Sequence, residues 1–69
     1  MDYRKLKGKI KEVFDTQEAF AEAMDMSQTS VNLRLNDKVE WKTQDIVRAC
    51  GLLSIPLTEA HLYFFTQKL

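Results

Sequence analysis

The sequence predicts a single all-α domain of five short helices, and three observations predict it. Apolar residues recur at helical spacing from Tyr3 to Phe65, and no stretch alternates on β-branched residues. Two glycines and one proline in 69 residues leave little material for long loops. A composition of 45% hydrophobic and 29% charged residues is that of a globular chain, not of a disordered tail. A chain this short buries only roughly 60% of the surface its unfolded form exposes, so the core is small and a partner subunit would help it.

The first helix is expected from about Asp2 to Phe14, where Tyr3, Leu6, Ile10, Val13 and Phe14 cluster within roughly 100° of the helical wheel. Arg4, Lys7 and Lys11 flank that stripe on one side, and Lys5 and Lys9 lie toward the other. The second helix starts at a Thr16 cap, carries Glu18 in the first turn where the dipole favours a negative charge, and places Phe20, Ala21 and Met24 on one face. Asp25-Met26-Ser27 interrupts it, and Ser27 caps a third helix from Gln28 to about Leu35.

On the wheel of this third helix Val31 and Leu35 fall together at about 300° and 340°, whereas Gln28, Thr29, Asn32, Leu33 and Asn36 span about 0° to 140°. One face is core; the other is amides, a hydroxyl and one leucine. A solvated helix face is usually filled with Lys and Glu, whereas Gln and Asn offer the paired donors and acceptors that read base edges. The third helix therefore looks like a reader. Asn36 to Lys42 follows as a charged turn, with Lys38 and exposed N–H groups placed to contact phosphate, and with Trp41 sealing the loop against the fourth helix, its indole N–H bonded at the edge. The fourth helix starts from a Thr43 cap and buries Ile46, Val47, Cys50 and Leu53.

Ser54-Ile55-Pro56 breaks the pattern, and Pro56 suits the start of a last helix through about Phe65. There Leu57, Ala60, Phe64 and Phe65 share a face. Leu62 and Tyr63 point elsewhere without an obvious internal partner; they read either as scattered surface apolars or, with Leu69, as a dimer or partner surface.

The stretch Thr16 to Leu35 resembles the helix-turn-helix of lambda-type phage repressors and Cro proteins. The likeness rests on Gln17 opening the first of the two helices, Ala21 where a small residue is needed at the helix crossing, Met26-Ser27-Gln28 at the turn, and Val31 in the core. The wider chain is similar to small phage-encoded regulators through Leu35-Asn36-Asp37-Lys38-Val39-Glu40-Trp41-Lys42, Ile55-Pro56-Leu57 and Tyr63-Phe64-Phe65. Two positions depart from the pattern. Asp25 stands where the turn usually has glycine, which a left-handed aspartate tolerates. Arg34 stands where relatives bury an apolar residue, and is expected at the rim of the core with its stem buried and its head in water. The resemblance implies a single lambda-repressor-like domain over residues 1–69, with the helix-turn-helix at about 16–35.

Charge counts against phosphate. The ten bases and ten acids sum to zero, segregated as +4 over residues 1–11 (five bases, one acid), −5 over residues 12–27 (five acids, no base) and +1 over the rest (five bases, four acids). Such segregation can still present a basic face, with modest and strongly salt-dependent affinity. No apolar run of 18 residues and no secretory pattern is present, which points to the cytoplasm. One cysteine forms no internal disulfide, and Cys50 with the single histidine, His61, makes no metal site. Without a nucleophile beside a base, convergent carboxylates or a phosphate loop, neither an enzyme, a cofactor nor a small-molecule substrate is expected.

The leading expectation is a transcriptional regulator binding double-stranded operator DNA as a homodimer, with half-sites about 34 Å apart. The resemblance assigns Gln17 to phosphate and to bracing Gln28, and Ser27 and Lys38 to phosphate. Gln28, Thr29 and Asn32 would read base edges, and Leu33 would meet a thymine methyl. The alternative left open is a protein-binding modulator or antirepressor that docks on a larger phage repressor.

Overall fold

The computed structural model describes residues 2–65. Five α-helices follow one another: α1 (Arg4–Phe14), α2 (Gln17–Ala23), α3 (Gln28–Leu35), α4 (Thr43–Leu53) and α5 (Ala60–Phe64), with a single 3-10 turn at Leu57–Glu59 before the last. No strand occurs among the described residues, and none of the helices described is long and apolar enough to cross a membrane.

The helix ends follow from local chemistry. At the start of α2 the Ala19 N–H donates to the Thr16 hydroxyl oxygen (3.1 Å), and at the start of α3 the Ser30 N–H donates to the Ser27 hydroxyl oxygen (3.1 Å). Each such cap contributes about 1 kcal/mol. Three helices end with a residue in the left-handed region where glycine is usual: Asp25 after α2, Asp37 after α3 and Ser54 after α4, with φ of 59°, 59° and 57°. The chain then turns back on itself. The Met26 N–H reaches the Ala21 carbonyl (2.9 Å), Lys38 N–H the Leu33 carbonyl (2.8 Å) and Ile55 N–H the Cys50 carbonyl (2.9 Å), so carbonyls that the helix leaves orphaned are met. After two of these turns the next residue is apolar and packs: Ile55 is buried and Met26 lies against the core. Asp15, at φ 70°, bends α1 into α2 through a Thr16 N–H to Phe14 carbonyl bond of 2.8 Å, a three-residue γ-turn.

One apolar core joins all five helices. Leu6 and Ile10 of α1, Phe20, Ala21 and Met24 around α2, Val31 and Leu35 of α3, Ile46, Ala49, Cys50 and Leu53 of α4, and Ala60 and Phe64 of α5 are buried, closed at the ends by Tyr3 and Ile55. Burial of each large side chain in this set contributes about 1.5–3 kcal/mol.

Several expectations are corrected by this packing. The α4 cap is Lys42, not Thr43, which is already helical; the Asp45 carboxylate accepts from the Lys42 N–H (3.3 Å). Val47 is 49% exposed, and Ala49 takes the buried place it was assigned, because α4 is rotated to bring Ile46, Ala49, Cys50 and Leu53 inward. Val13 is exposed on α1. Leu57 and Phe65 are 62% and 55% exposed, since the 3-10 turn shifts the register that an unbroken helix from Pro56 would have kept. The Trp41 ring lies 5.1 Å from Phe64 and 6.4 Å from Tyr3, edge to face, and its buried Nε1, expected to be bonded at the edge, has no hydrogen-bond partner among the described residues. Arg34 does not carry its head into water. Its side chain is 13% exposed, its Nη1 donates to the Ser30 carbonyl (3.0 Å), and its Nε lies 3.5 Å from the Asp45 carboxylate.

Candidate functional site

Short capped helices and left-handed turns set α2 and α3 against each other, and the outer surface of the pair carries the residues singled out in the sequence. Gln17, Gln28, Thr29 and Asn32 line one shallow depression, with Gln17 at the first residue of α2 and the other three on the first two turns of α3. The wheel therefore placed the exposed face correctly. Val31 and Leu35 anchor its underside in the core, and Phe20, Ala21 and Met24 complete the floor beneath.

Some of the hydrogen-bonding groups of this surface are used within the chain. The Ser27 hydroxyl is spent locally, accepting from Ser30 N–H and donating to Ser30 Oγ at 3.0 Å. Asn36 Nδ2 donates to both the carbonyl and the Oδ1 of Asn32 (2.8 Å each), which takes one lone pair of the Asn32 amide oxygen. No hydrogen bond joins Gln17 to Gln28 among the described residues. The loop expected to offer N–H groups to phosphate uses two of them internally: Lys38 N–H and Val39 N–H both donate to the Leu33 carbonyl, at 2.8 and 3.3 Å. The Lys38 side chain is exposed.

Leu33 is 39% exposed, as its wheel angle predicts, and Val39, held to the same carbonyl, is 38% exposed. They are two exposed apolar residues tied to one backbone carbonyl at the end of α3. Val39 was missed in the sequence because it lies in a charged loop outside any helical period.

The structure adds weight to the charge pattern of the sequence. Residues 12–35 contain five acids, Glu12, Asp15, Glu18, Glu22 and Asp25, against one base, Arg34. That base is turned inward onto Ser30 and Asp45. Glu18, Glu22 and Asp25 are exposed and belong to no ion pair among the described residues. A phosphate backbone brought to this face would meet a surplus of like charge.

The other residues marked as a partner surface are divided. Leu62 is exposed. Tyr63 is half-buried against the core and has an internal neighbour after all, with Lys5 Nζ 5.1 Å above its ring. Leu69 lies outside the described residues. Among the described residues no group of three or more His, Cys, Asp or Glu side chains is arranged to hold a metal. Cys50 is buried within the core, and burial pushes its thiol above the usual value, which disfavours the thiolate form.

Over residues 1–67 the chain matches the model of a family described as a protein of unknown function (DUF739), and it belongs to that family. It is similar over 99% of its length to the solution structure of the modulator of repression (MOR) of the temperate bacteriophage TP901-1 from Lactococcus lactis, with 44% identity, 92% of that chain covered and a TM-score of 0.84. No curated protein matches it. The likeness to a small phage regulator thus stands, and the expectation of an operator-binding repressor is overturned: the similar structure is that of a modulator of repression. The acid surplus around α2 and α3 supplies the physical reason.

Proposed function

We propose that this chain is a small phage-encoded modulator that docks on a larger phage repressor and alters that protein's hold on its operator. The observation that carries the reading is the α2–α3 surface, which has the amides of a base reader but is edged by Glu18, Glu22 and Asp25 with no exposed base on either helix. The 44% identity to a modulator of repression supports it. A repressor must present a basic, donor-rich face to phosphate, and an acidic surface of matching scale complements such a face. Glutamine, threonine and asparagine then serve as adaptable hydrogen-bonding partners for that protein surface, and Leu33 with Val39 supplies the apolar anchor that gives affinity. In this reading the lambda- and Cro-type likeness of residues 16–35 is one of shape: the same helix pair is turned to protein recognition. The chain needs no cofactor, catalyses nothing and meets its partner in the cytoplasm.

The test is a gel-shift experiment with the phage's own intergenic DNA, its main repressor and this protein. The protein alone should leave the DNA unshifted, should co-purify with the repressor, and should change the amount of DNA the repressor holds. A sequence-specific shift by the protein alone, with no effect on the repressor, would contradict the proposal.

A further inference from the structure

A second recessed site lies between the amino-terminal residues, the α3–α4 loop and the end of α5, and it shares no residue with the α2–α3 depression. It is a cleft of about 290 Å³ lined by Tyr3, Asp37, Glu40, Trp41, Phe64 and Phe65. Four of the six are aromatic. Trp41 meets Tyr3 and Phe64 at interplanar angles of 61° and 78°, so the rings form angled walls rather than a stack, and Phe65 stands exposed at the rim.

The loop sorts its charges around this cleft. Residues 36–42 carry four charged side chains, and the two acids, Asp37 and Glu40, line it while Lys38 and Lys42 do not. Glu40 is exposed and takes part in no ion pair among the described residues. The field of the two carboxylates is felt at the cleft wall: the Tyr3 phenol is held above the usual tyrosine value, by burial first and by Asp37 and Glu40 next.

Carboxylates beside aromatic faces make a site for a flat cation. A guanidinium stacks on rings and donates two parallel hydrogen bonds to a carboxylate, which an ammonium cannot do as well. The volume falls just under the range of pockets for whole small molecules and suits one inserted side chain. We infer that this cleft receives an arginine side chain of the repressor on which the chain docks, giving the complex a second contact besides the α2–α3 surface. The arginine specificity rests on the cleft alone; the assignment to the repressor rests on the function proposed above.

Trp41 is the chain's single tryptophan and reports on the cleft directly. Its fluorescence should be followed while the full chain is titrated with the blocked tripeptide Ac-Gly-Arg-Gly-amide, and with the citrulline counterpart, which keeps the shape and loses the charge. A saturable change with the arginine peptide, at least several-fold weaker with citrulline and in the Glu40→Gln variant, is the expected result. No saturable change, or equal binding of the citrulline peptide, overturns the site. In a second arm, Glu40→Gln should weaken capture of the repressor several-fold. Arginine binding in the first arm with undiminished capture in the second would overturn the assignment to the repressor while leaving the cleft. Failure of the unaltered chain to capture the repressor would overturn the proposed function and leave the fluorescence result intact.

Discussion

The surface of α1 and the surface of α2–α3 carry opposite charge, and they differ more in how that charge is used than in its sign. On α1 the bases are largely consumed by the chain itself. Arg4 pairs with Asp2 at 2.9 Å, Lys9 with Glu12 at 3.1 Å, Lys11 with Asp15 at 3.4 Å, and Lys5 sits over the Tyr63 ring. On α2–α3 the acids Glu18, Glu22 and Asp25 have no such partner among the described residues. Four of the five α1 bases thus have a partner within the chain, while three acids beside α2 and α3 face outward without one among the described residues. Each exposed pair on α1 is worth little in stability, about 0–1 kcal/mol, but together they remove bases from the pool that could neutralise phosphate.

The comparison presupposes that α3 is fixed on the core, and breaking that anchor should have the largest effect. Val31 is fully buried. Val31→Asp would place an unpaired charge there at about 3–5 kcal/mol, as much as a core of this size supplies. Circular dichroism should show a chain without a cooperative melt, and a melt near the original temperature would mean that α3 sits differently.

The next effect sharpens the account of the α2–α3 surface. Leu33→Ala should weaken repressor capture roughly 30-fold, about 2 kcal/mol, because an apolar anchor within a polar interface carries a large share of the affinity. The fold should be unaffected, since Leu33 is outside the buried core. Unchanged capture would move the docking surface elsewhere.

On the opposite side of the comparison, Gly8 lies mid-helix on α1, and a methyl group added there would meet nothing within 4 Å. Gly8→Ala should raise stability by about 0.5–1 kcal/mol and leave repressor capture alone. Loss of capture in this variant would show that the α1 surface is the docking face.

The smallest effect concerns the phenol of Tyr3, raised above its usual value of 10.0 by burial and then by Asp37 and Glu40. A folded-state value above the unfolded one means that the fold holds the proton more tightly. Its contribution is complete below pH 10.0 and is lost as pH rises through the folded value. The melting temperature should fall more steeply above pH 10.0 in the unaltered chain than in Tyr3→Phe. Equal slopes would show that the fold does not perturb the phenol.

What could be read from the residues divides along the same physical line. Caps and turns depend on neighbours in the chain, so Thr16, Ser27 and the left-handed Asp25 were legible, as was the outward face of α3 that brings Gln17, Gln28, Thr29 and Asn32 together. The inward face of α4 depends on which elements arrive later, so Val47, expected inside, is exposed and Ala49 is buried, and the contact of Trp41 with Phe64 of α5 was not foreseen. Arg34 was placed in water because its partner Asp45 comes eleven residues later, across the α3–α4 loop. The amides of α3 suggested DNA because hydrogen-bonding capacity is visible in a residue type. The sign of the surrounding field was visible too, in the −5 of residues 12–27, but its weight emerged only when Arg34 was seen to turn inward and Lys9 and Lys11 to be paired.

The measurement that tests the central claim most directly is a charge reversal on the acidic edge, Glu18→Lys with Glu22→Lys, followed against both rival ligands over a range of salt. Both side chains are exposed, so the fold should persist. Repressor affinity should fall on the order of tenfold or more and lose much of its salt dependence, while weak binding to DNA of any sequence should appear. Unchanged repressor affinity, or operator binding by the unaltered chain that the reversal abolishes, would contradict the account.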